Sequence, residues 1–388
     1  MPFVLKEVGN EPKLRKEFLE LPVRLYKGNH FWIRPLDKDI EEVFDKEKNK
    51  KFRQGDCIRW ILENEAGSTI GRVAAFFDKR LFKEGKPKVG GMGFFECIDN
   101  QEAAHQLFKA CENWLLSQGI QAMDGPVNFG DRDKHWGLLI EGHEKEPNYG
   151  MPYSHAYYSS LFESYGFRVF FYQITFFREV LAPISDRLQE KYNRIVQDKL
   201  YRFEHYQPSE NEKFVKAFTS IFNEAWSKHS GVPAMEEAHA RALFAKLKPV
   251  MDKRILWFGF YGERPVAFFL MLPELNQFFK HVNGKLDFWG KIKFAWNRYF
   301  VGTDKMFGVI FGIVPDFQGK GVEGALIVAC RPTVIKTQYR KLEMNWIGDF
   351  NPKMIHLMET LGAVECKRHA TYRLFFDRNH PFEREKTI

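Results

Sequence analysis

Two stretches of this chain carry the same features in the same order at one separation, which restricts it to an architecture built twice. Residues 58–62 (Ile58, Trp60, Leu62), a turn ending at Gly67 and a second apolar run over 70–77 read as a hairpin. Residues 255–260, a turn at Gly262 and the run 265–272 repeat it, with Trp257 lying 197 positions after Trp60. Residues 161–166 and 357–362 each read as a helix end closed by a glycine, Gly166 and Gly362, before a strand. Those glycines are 196 apart, as are Thr175 and Thr371. A hairpin, a capped helix and a terminal strand in one order at one offset indicate a duplicated domain.

A length of 388 residues suits two domains, and a 44% hydrophobic fraction with 39 Phe supplies two cores. The boundary is expected where Pro183 follows the last strand of the first copy, giving domains 1–182 and 183–388. Ser185 is placed to N-cap a connecting helix over 186–200, followed by a strand at 201–206. Phe214, Phe218, Ile221, Phe222 and Ala225 then recur at helical spacing. Each copy has its own insertion, residues 125–153 in the first and 276–306 in the second. The second is rich in aromatics, and between Glu274 and Lys305 it holds six bases against three acids. Long insertions of this kind are sheet covers or binding loops, and cover is the expectation here.

Composition excludes several classes. The five cysteines have no CxxC or CxxH spacing, so neither a disulfide framework nor a metal site is expected. No run of 18 apolar residues and no signal-peptide h-region occurs, which points to a cytoplasmic chain. The net charge of +8 is scattered, so nucleic acid and membrane rank below a small ligand.

The chemistry-bearing segment follows the apolar run 306–314, where residues 315–321 carry Gly319 and Gly321 ahead of a helical pattern over 322–337. A glycine turn that opens a helix aims several unpaired N–H groups and the positive end of the helix dipole at one point, which binds phosphate. Gly319, Gly321 and Gly324 satisfy GxGxxG, and Glu343 lies 19 residues beyond, near the ribose-binding acid of dinucleotide folds. That match is weak, because residues 315–318 separate the strand from the first glycine and the preceding strands form a hairpin.

Gln318, Gly319 and Gly321 after a Val314-Pro315 entry, with Asn351-Pro352 leading to Leu361-Gly362, resemble the two motifs of the GCN5-related N-acetyltransferase (GNAT) superfamily. The resemblance covers residues 201–376 well and, through the repeat, 1–178 more loosely. It implies an α/β (α+β) fold of two tandem GNAT-like domains, each a mixed, mostly antiparallel sheet flanked by helices. It further implies that acetyl-CoA or another acyl-CoA is held by Ile313, Val314, Gln318, Gly319, Lys320, Gly321, Val322, Glu323, Gly324 and Asn351. The acyl group would pass to a small-molecule or peptide amine.

The sequence departs from that pattern in two places: Glu323 takes a small-residue position, and Met358 stands where many relatives place an acidic Tyr. Candidates to move the amine proton are Glu343, Asp349 and His356, with Tyr372 a substitute acid. A thiol of pKa about 8.5 leaves without a strong acid. In the first copy the equivalent of the glycine loop, residues 96–103, has no glycine and several acids, and His155 replaces Asn351. The first copy is therefore expected to have lost the cofactor.

Overall fold

The computed structural model describes residues 3–130, 132, 134–226 and 234–387. The first half runs β1 (Val4–Glu7), α1 (Pro12–Leu25), α2 (Asp37–Val43), β2 (Gly55–Glu63), β3 (Thr69–Asp78), β4 (Val89–Cys97), α3 (Gln101–Ser117), β5 (Ala122–Gly125), β6 (Leu138–Glu141), α4 (Tyr158–Tyr165) and β7 (Arg168–Glu179). A linker helix, α5 (Asp186–Ile195), leads to β8 (Tyr201–His205), α6 (Asn211–Trp226), α7 (Glu237–Leu247), β9 (Leu256–Tyr261) and β10 (Arg264–Pro273). The rest comprises α8 (Asn276–Phe279), α9 (Phe288–Trp296), β11 (Lys305–Ile313), α10 (Val322–Val334), β12 (Lys341–Gly348), α11 (Pro352–Thr360) and β13 (Val364–Phe375).

The duplication stands in the structure. Both hairpins form, and α4 and α11 both run out into a left-handed glycine, Gly166 at φ 101° and Gly362 at φ 69°. The linker helix is shorter than expected, stopping at Ile195, and Ser185 sits at its N-cap without a side-chain capping bond.

The described strands join one sheet in the order β1-β2-β3-β4-β5-β13-β7-β12-β11-β10-β9-β8, with β6 also on β13. Only β4 with β5 and β11 with β12 are parallel; the other pairs are antiparallel. The order reveals an exchange that pattern reading does not show. The last strand of the first half, β7, pairs with β12 of the second, and the last strand of the second half, β13, pairs with β5 of the first. The exchanged strands also pair with each other, from Val364 opposite Phe177 to Arg373 opposite Arg168.

Side-chain alternation gives this seam two different faces. Ile174 and Phe176 join Met344, Ile347, Met358 and Leu361 in an apolar cluster. On the opposite face Gln173, Thr175, Lys367, His369 and Thr371 are buried polar groups. The first insertion covers them: the Trp136 indole N–H donates to the Thr371 hydroxyl at 3.1 Å, and His369 Nε2 lies 3.1 Å from the Pro152 carbonyl. Gly137 has to lack a side chain, because a Cβ there would lie 2.4 Å from Gln173 Oε1.

The second insertion is only partly a cover. Its first turn buries Phe278, Phe279 and Val282 with Leu36 of the first half, whereas α9 is largely exposed. Because each half supplies the strand that closes the other, residues 1–182 and 183–388 made separately are expected to aggregate or stay unfolded. Made together they should yield a stable complex of the full-length mass. Size-exclusion chromatography with circular dichroism checks this, and a folded monomeric half would count against it.

Candidate functional site

Strands β11 and β12 pair from Lys305 opposite Lys341 to Gly308 opposite Met344 and then part. Beyond that point β11 follows β10 as far as Ile313, and β12 follows β7 as far as Gly348, so a wedge opens between them. Val309 is an extra residue in the β10–β11 register and is exposed, and the β12–β7 register also shifts, at residues 345 and 346. The glycine loop closes the wide end.

In that loop a turn over Pro315–Phe317 leads to Gly319 at φ 72° and to Gly321 at φ 86°, the N-cap of α10. No side chain caps α10, and its first helical bond is from the Ala325 N–H to the Gly321 carbonyl. Among the described residues the N–H groups of residues 319–324 have no acceptor in the chain. The space above Gly319 is open, with nothing within 4 Å of a Cβ placed there. A helix N-terminus with uncapped N–H groups and open space above it is an arrangement that can receive an anion.

The other residues expected to hold the cofactor lie around this loop or have partners within the chain. Gln318 Nε2 donates to the Ile313 carbonyl at 3.1 Å, the Val314 N–H donates to Val266, and Asn351 caps its own helix by accepting from the Met354 N–H at 3.2 Å. Lys320 is exposed beside the Phe317 ring. Glu323 is half-buried, with Oε2 unpaired. Gly324 is explained by packing, since a Cβ there would lie 2.7 Å from Leu188 of the linker helix.

The first copy has the same wedge, filled by its own chain. Strands β4 and β5 pair as far as Gly91 opposite Asp124, after which the Val127 N–H donates to the Met92 carbonyl at 2.8 Å. A Cβ on Gly93 would sit 1.9 Å from the Val127 carbonyl oxygen. The helix that should face the phosphates, α3, is capped by Asn100, which accepts from the Ala103 N–H at 2.8 Å. His155 stacks on Tyr26 with ring centroids 4.3 Å apart. In this wedge the chain's own Val127 takes the backbone partner on β4, and Asn100 satisfies one N–H of the facing helix.

The four acid-base candidates are not brought together. Glu343 is buried between Lys305 at 2.8 Å and Lys367 at 2.5 Å, and Asn148 donates to it at 2.8 Å. Burial raises its carboxyl, but the two lysines outweigh that and hold it below the usual carboxylate value. It is an ionised structural anion and a poor base. Asp349 accepts from the Tyr172 N–H at 3.1 Å and pairs with Arg384. His356 projects into solvent beside Glu359, 3.7 Å away. Tyr372 is buried in the first half, 3.4 Å from Glu163, and burial pushes its hydroxyl up to about 12.

Glu274 was not visible as a special residue in the sequence. Its Oε1 accepts from the Tyr149 and Asn276 N–H groups at 2.8 and 2.9 Å, while Oε2 is buried without a partner. Burial pushes its carboxyl up to about 7 against the pull of Lys305. No sequence signal marks this, because the burial comes from the first half's insertion.

No family model matches the chain. A bacterial ceramide synthase of Caulobacter vibrioides is 25% identical over 369 residues, 94% of each chain. Among solved structures, a tandem GNAT protein from the clavulanic acid biosynthesis pathway matches with a TM-score of 0.54 at 8% identity, over 96% of this chain and 98% of that one. A GCN5-related glucosamine N-acetyltransferase region of a fungal multi-domain GH3 β-N-acetylglucosaminidase matches with a TM-score of 0.55 at 11% identity over 96% of this chain, which spans 38% of that protein. The fold is that of two GNAT units in tandem.

The two buried glutamates should pull stability in opposite directions with pH. Glu274, raised in the folded state, stabilises fully below its unfolded value near 4.5 and loses that contribution as pH rises through about 7. Glu274→Gln should therefore be more stable than wild type at pH 8, by on the order of 3 kcal/mol, the gap closing towards acid. Glu343, lowered in the folded state, stabilises above its ordinary value and loses this as pH falls. Glu343→Gln leaves two buried lysines without their anion and should cost about 3–5 kcal/mol at pH 7. Urea titrations from pH 4.5 to 8 separate the two.

Proposed function

We propose that this chain transfers an acyl group from an acyl-CoA to an amine at the wedge between β11 and β12. The observation that carries the reading is the set of unpaired N–H groups over residues 319–324, on a helix that no side chain caps, whereas in the first copy Asn100 caps the corresponding helix. The tandem GNAT fold supports acyl transfer as the class. A ceramide is an N-acylated long-chain amino alcohol, so the name of the Caulobacter relative also denotes amide formation, and it favours a lipid-like amine and a fatty acyl donor here.

In this reading the chain contributes chiefly position. Residues 319–324 bind the phosphates, and the unpaired edges of β11 past Gly308 and of β12 at 345–346 lie along the wedge where an extended pantetheine arm can form strand-like hydrogen bonds. A backbone N–H at such an edge can hold the thioester oxygen as charge develops on it. Glu343, Asp349, His356 and Tyr372 are each engaged elsewhere or in solvent, so proton removal falls to water or to a group that the acceptor brings. The same separation favours, as a second reading, a carrier that binds acyl-CoA without turning it over.

Thermal shift with acetyl-CoA and longer acyl-CoAs tests the site. At about a hundred times Kd a ligand adds roughly 2.7 kcal/mol, which is on the order of 5 °C in Tm. Gly319→Asp places a carboxylate in the open space, in a backbone conformation that Asp and Asn tolerate, and should abolish the shift. Gly319→Asn should retain most of it. If no acyl-CoA stabilises wild type, the reading fails. Mass spectrometry of the amide formed from a long-chain amino alcohol then separates transferase from carrier.

A further inference from the structure

The α9 segment presents an aromatic face that none of the described residues covers. Phe288, Trp289, Trp296, Tyr299, Phe300 and Val301 are 60–74% exposed, and Ile292 is 45% exposed. Phe288, Ile292, Trp296 and Phe300 follow at intervals of four, so they form one stripe that continues through the single π-helical turn Asn297–Val301. The rings touch along it, with Trp296 and Phe300 centroids 4.5 Å apart and those of Phe288 and Trp289 5.4 Å apart.

The helix is held firmly from behind. Phe294 stacks on Phe279 at 5.1 Å and meets Phe278 edge-on at 5.7 Å, and Asp287 caps the N-terminus by accepting from the Gly290 N–H at 2.8 Å. Gly290 lets the helix start tight against its loop, because a Cβ there would lie 2.0 Å from the Lys285 carbonyl oxygen. The exposed face therefore belongs to an anchored element.

Charge identifies the occupant. Lys285, Lys291 and Lys293 are exposed on this segment, Lys280 is exposed but paired with Glu146 at 3.3 Å, and Arg298 lies over the Tyr299 ring. Against these the exposed acids of residues 280–304 are Asp287 and Asp304. Aromatic rings interleaved with lysines on a short amphipathic helix suit the headgroup region of an anionic bilayer, where the rings enter the acyl boundary and the ammonium groups meet phosphates. A second copy of this chain suits it poorly, since pairing two such faces would set their lysine borders against each other, like charge on like charge.

We infer that the stripe Phe288, Trp289, Ile292, Trp296 and Phe300 with its lysine border docks this protein on an anionic phospholipid surface. The inference stands on the surface alone and does not require acyl transfer.

The test is sedimentation of the full-length protein with phosphatidylcholine vesicles containing or lacking phosphatidylglycerol, read together with tryptophan fluorescence and quenching by brominated lipid. Wild type should sediment with the anionic vesicles with a blue-shifted, quenched emission, and salt should weaken it. Trp289→Ser/Trp296→Ser/Phe300→Ser should stay in the supernatant, and Lys291→Glu/Lys293→Glu should bind at least about tenfold more weakly. Both variants should keep the wild-type melting temperature, since the changed side chains are exposed. Wild type remaining in the supernatant at low salt overturns the inference, as does a triple variant that sediments like wild type. Sedimentation equilibrium showing a wild-type dimer that the triple variant abolishes would overturn it too, assigning the face to a second copy.

Discussion

The pairing of β7 with β13 is the constraint on which the remaining architecture rests. Each of these strands leaves its own half and completes the other, so the backbone groups at the edges of β5 and β12 are satisfied across the molecule. A strand in the middle of a sheet has two faces to bury. The apolar face of the seam meets α11 and the linker helix, but the other face carries Gln173, Thr175, Lys367, His369 and Thr371. Such a face stays dry only if every strong charge finds a partner. The Lys305, Glu343 and Lys367 triad and the carbonyls of the first insertion meet that demand, which accounts for an insertion in the first half closing over a charge in the second.

Duplication followed by exchange also explains the asymmetry between the two wedges. Both copies inherit strands that part, and a parting pair leaves backbone donors and acceptors that something must occupy. In the first copy the chain occupies its own wedge through Val127, made possible by Gly93, and Asn100 caps the facing helix. In the second the strands stay apart and the N-cap, Gly321, has no side chain to occupy the helix end. On the proposed reading, one copy would serve as structure and the other would keep a face for a ligand, a division that does not require both halves to evolve a site.

Much of this was legible in the residues. The repeat offset, both hairpins, the two glycine-terminated helices and the glycine turn before α10 are local patterns, and local patterns survive in three dimensions because propensity and backbone geometry act over a few residues. The strand exchange was not legible, since swapped and unswapped versions of a duplicated fold present the same strands with the same periodicity. For that reason Glu343, read as a candidate base at a strand start, proved to be an anion locked to Lys367, 24 positions away on a strand from the other side of the seam. The three glycines of the loop separate in the same way. Gly319 and Gly321 have positive φ, whereas Gly324 answers to Leu188 on the linker helix. One string of letters held two different physical causes.

The two proposals meet along β11. This strand begins at Lys305, just after the aromatic segment, and ends at Ile313, just before the glycine turn, so the eight steps of about 3.3 Å between its nine residues put roughly 26 Å between its ends. The wedge opens between those ends, starting past Gly308. A water-borne cofactor seated on residues 319–324 would reach into the wedge from its wide end, while a bilayer against the 288–301 stripe would lie beyond its closed end. An amine buried in a lipid leaflet and an acyl donor dissolved in water have to meet at a boundary between the two media. If both proposals hold, β11 would be the element with one end towards each of them.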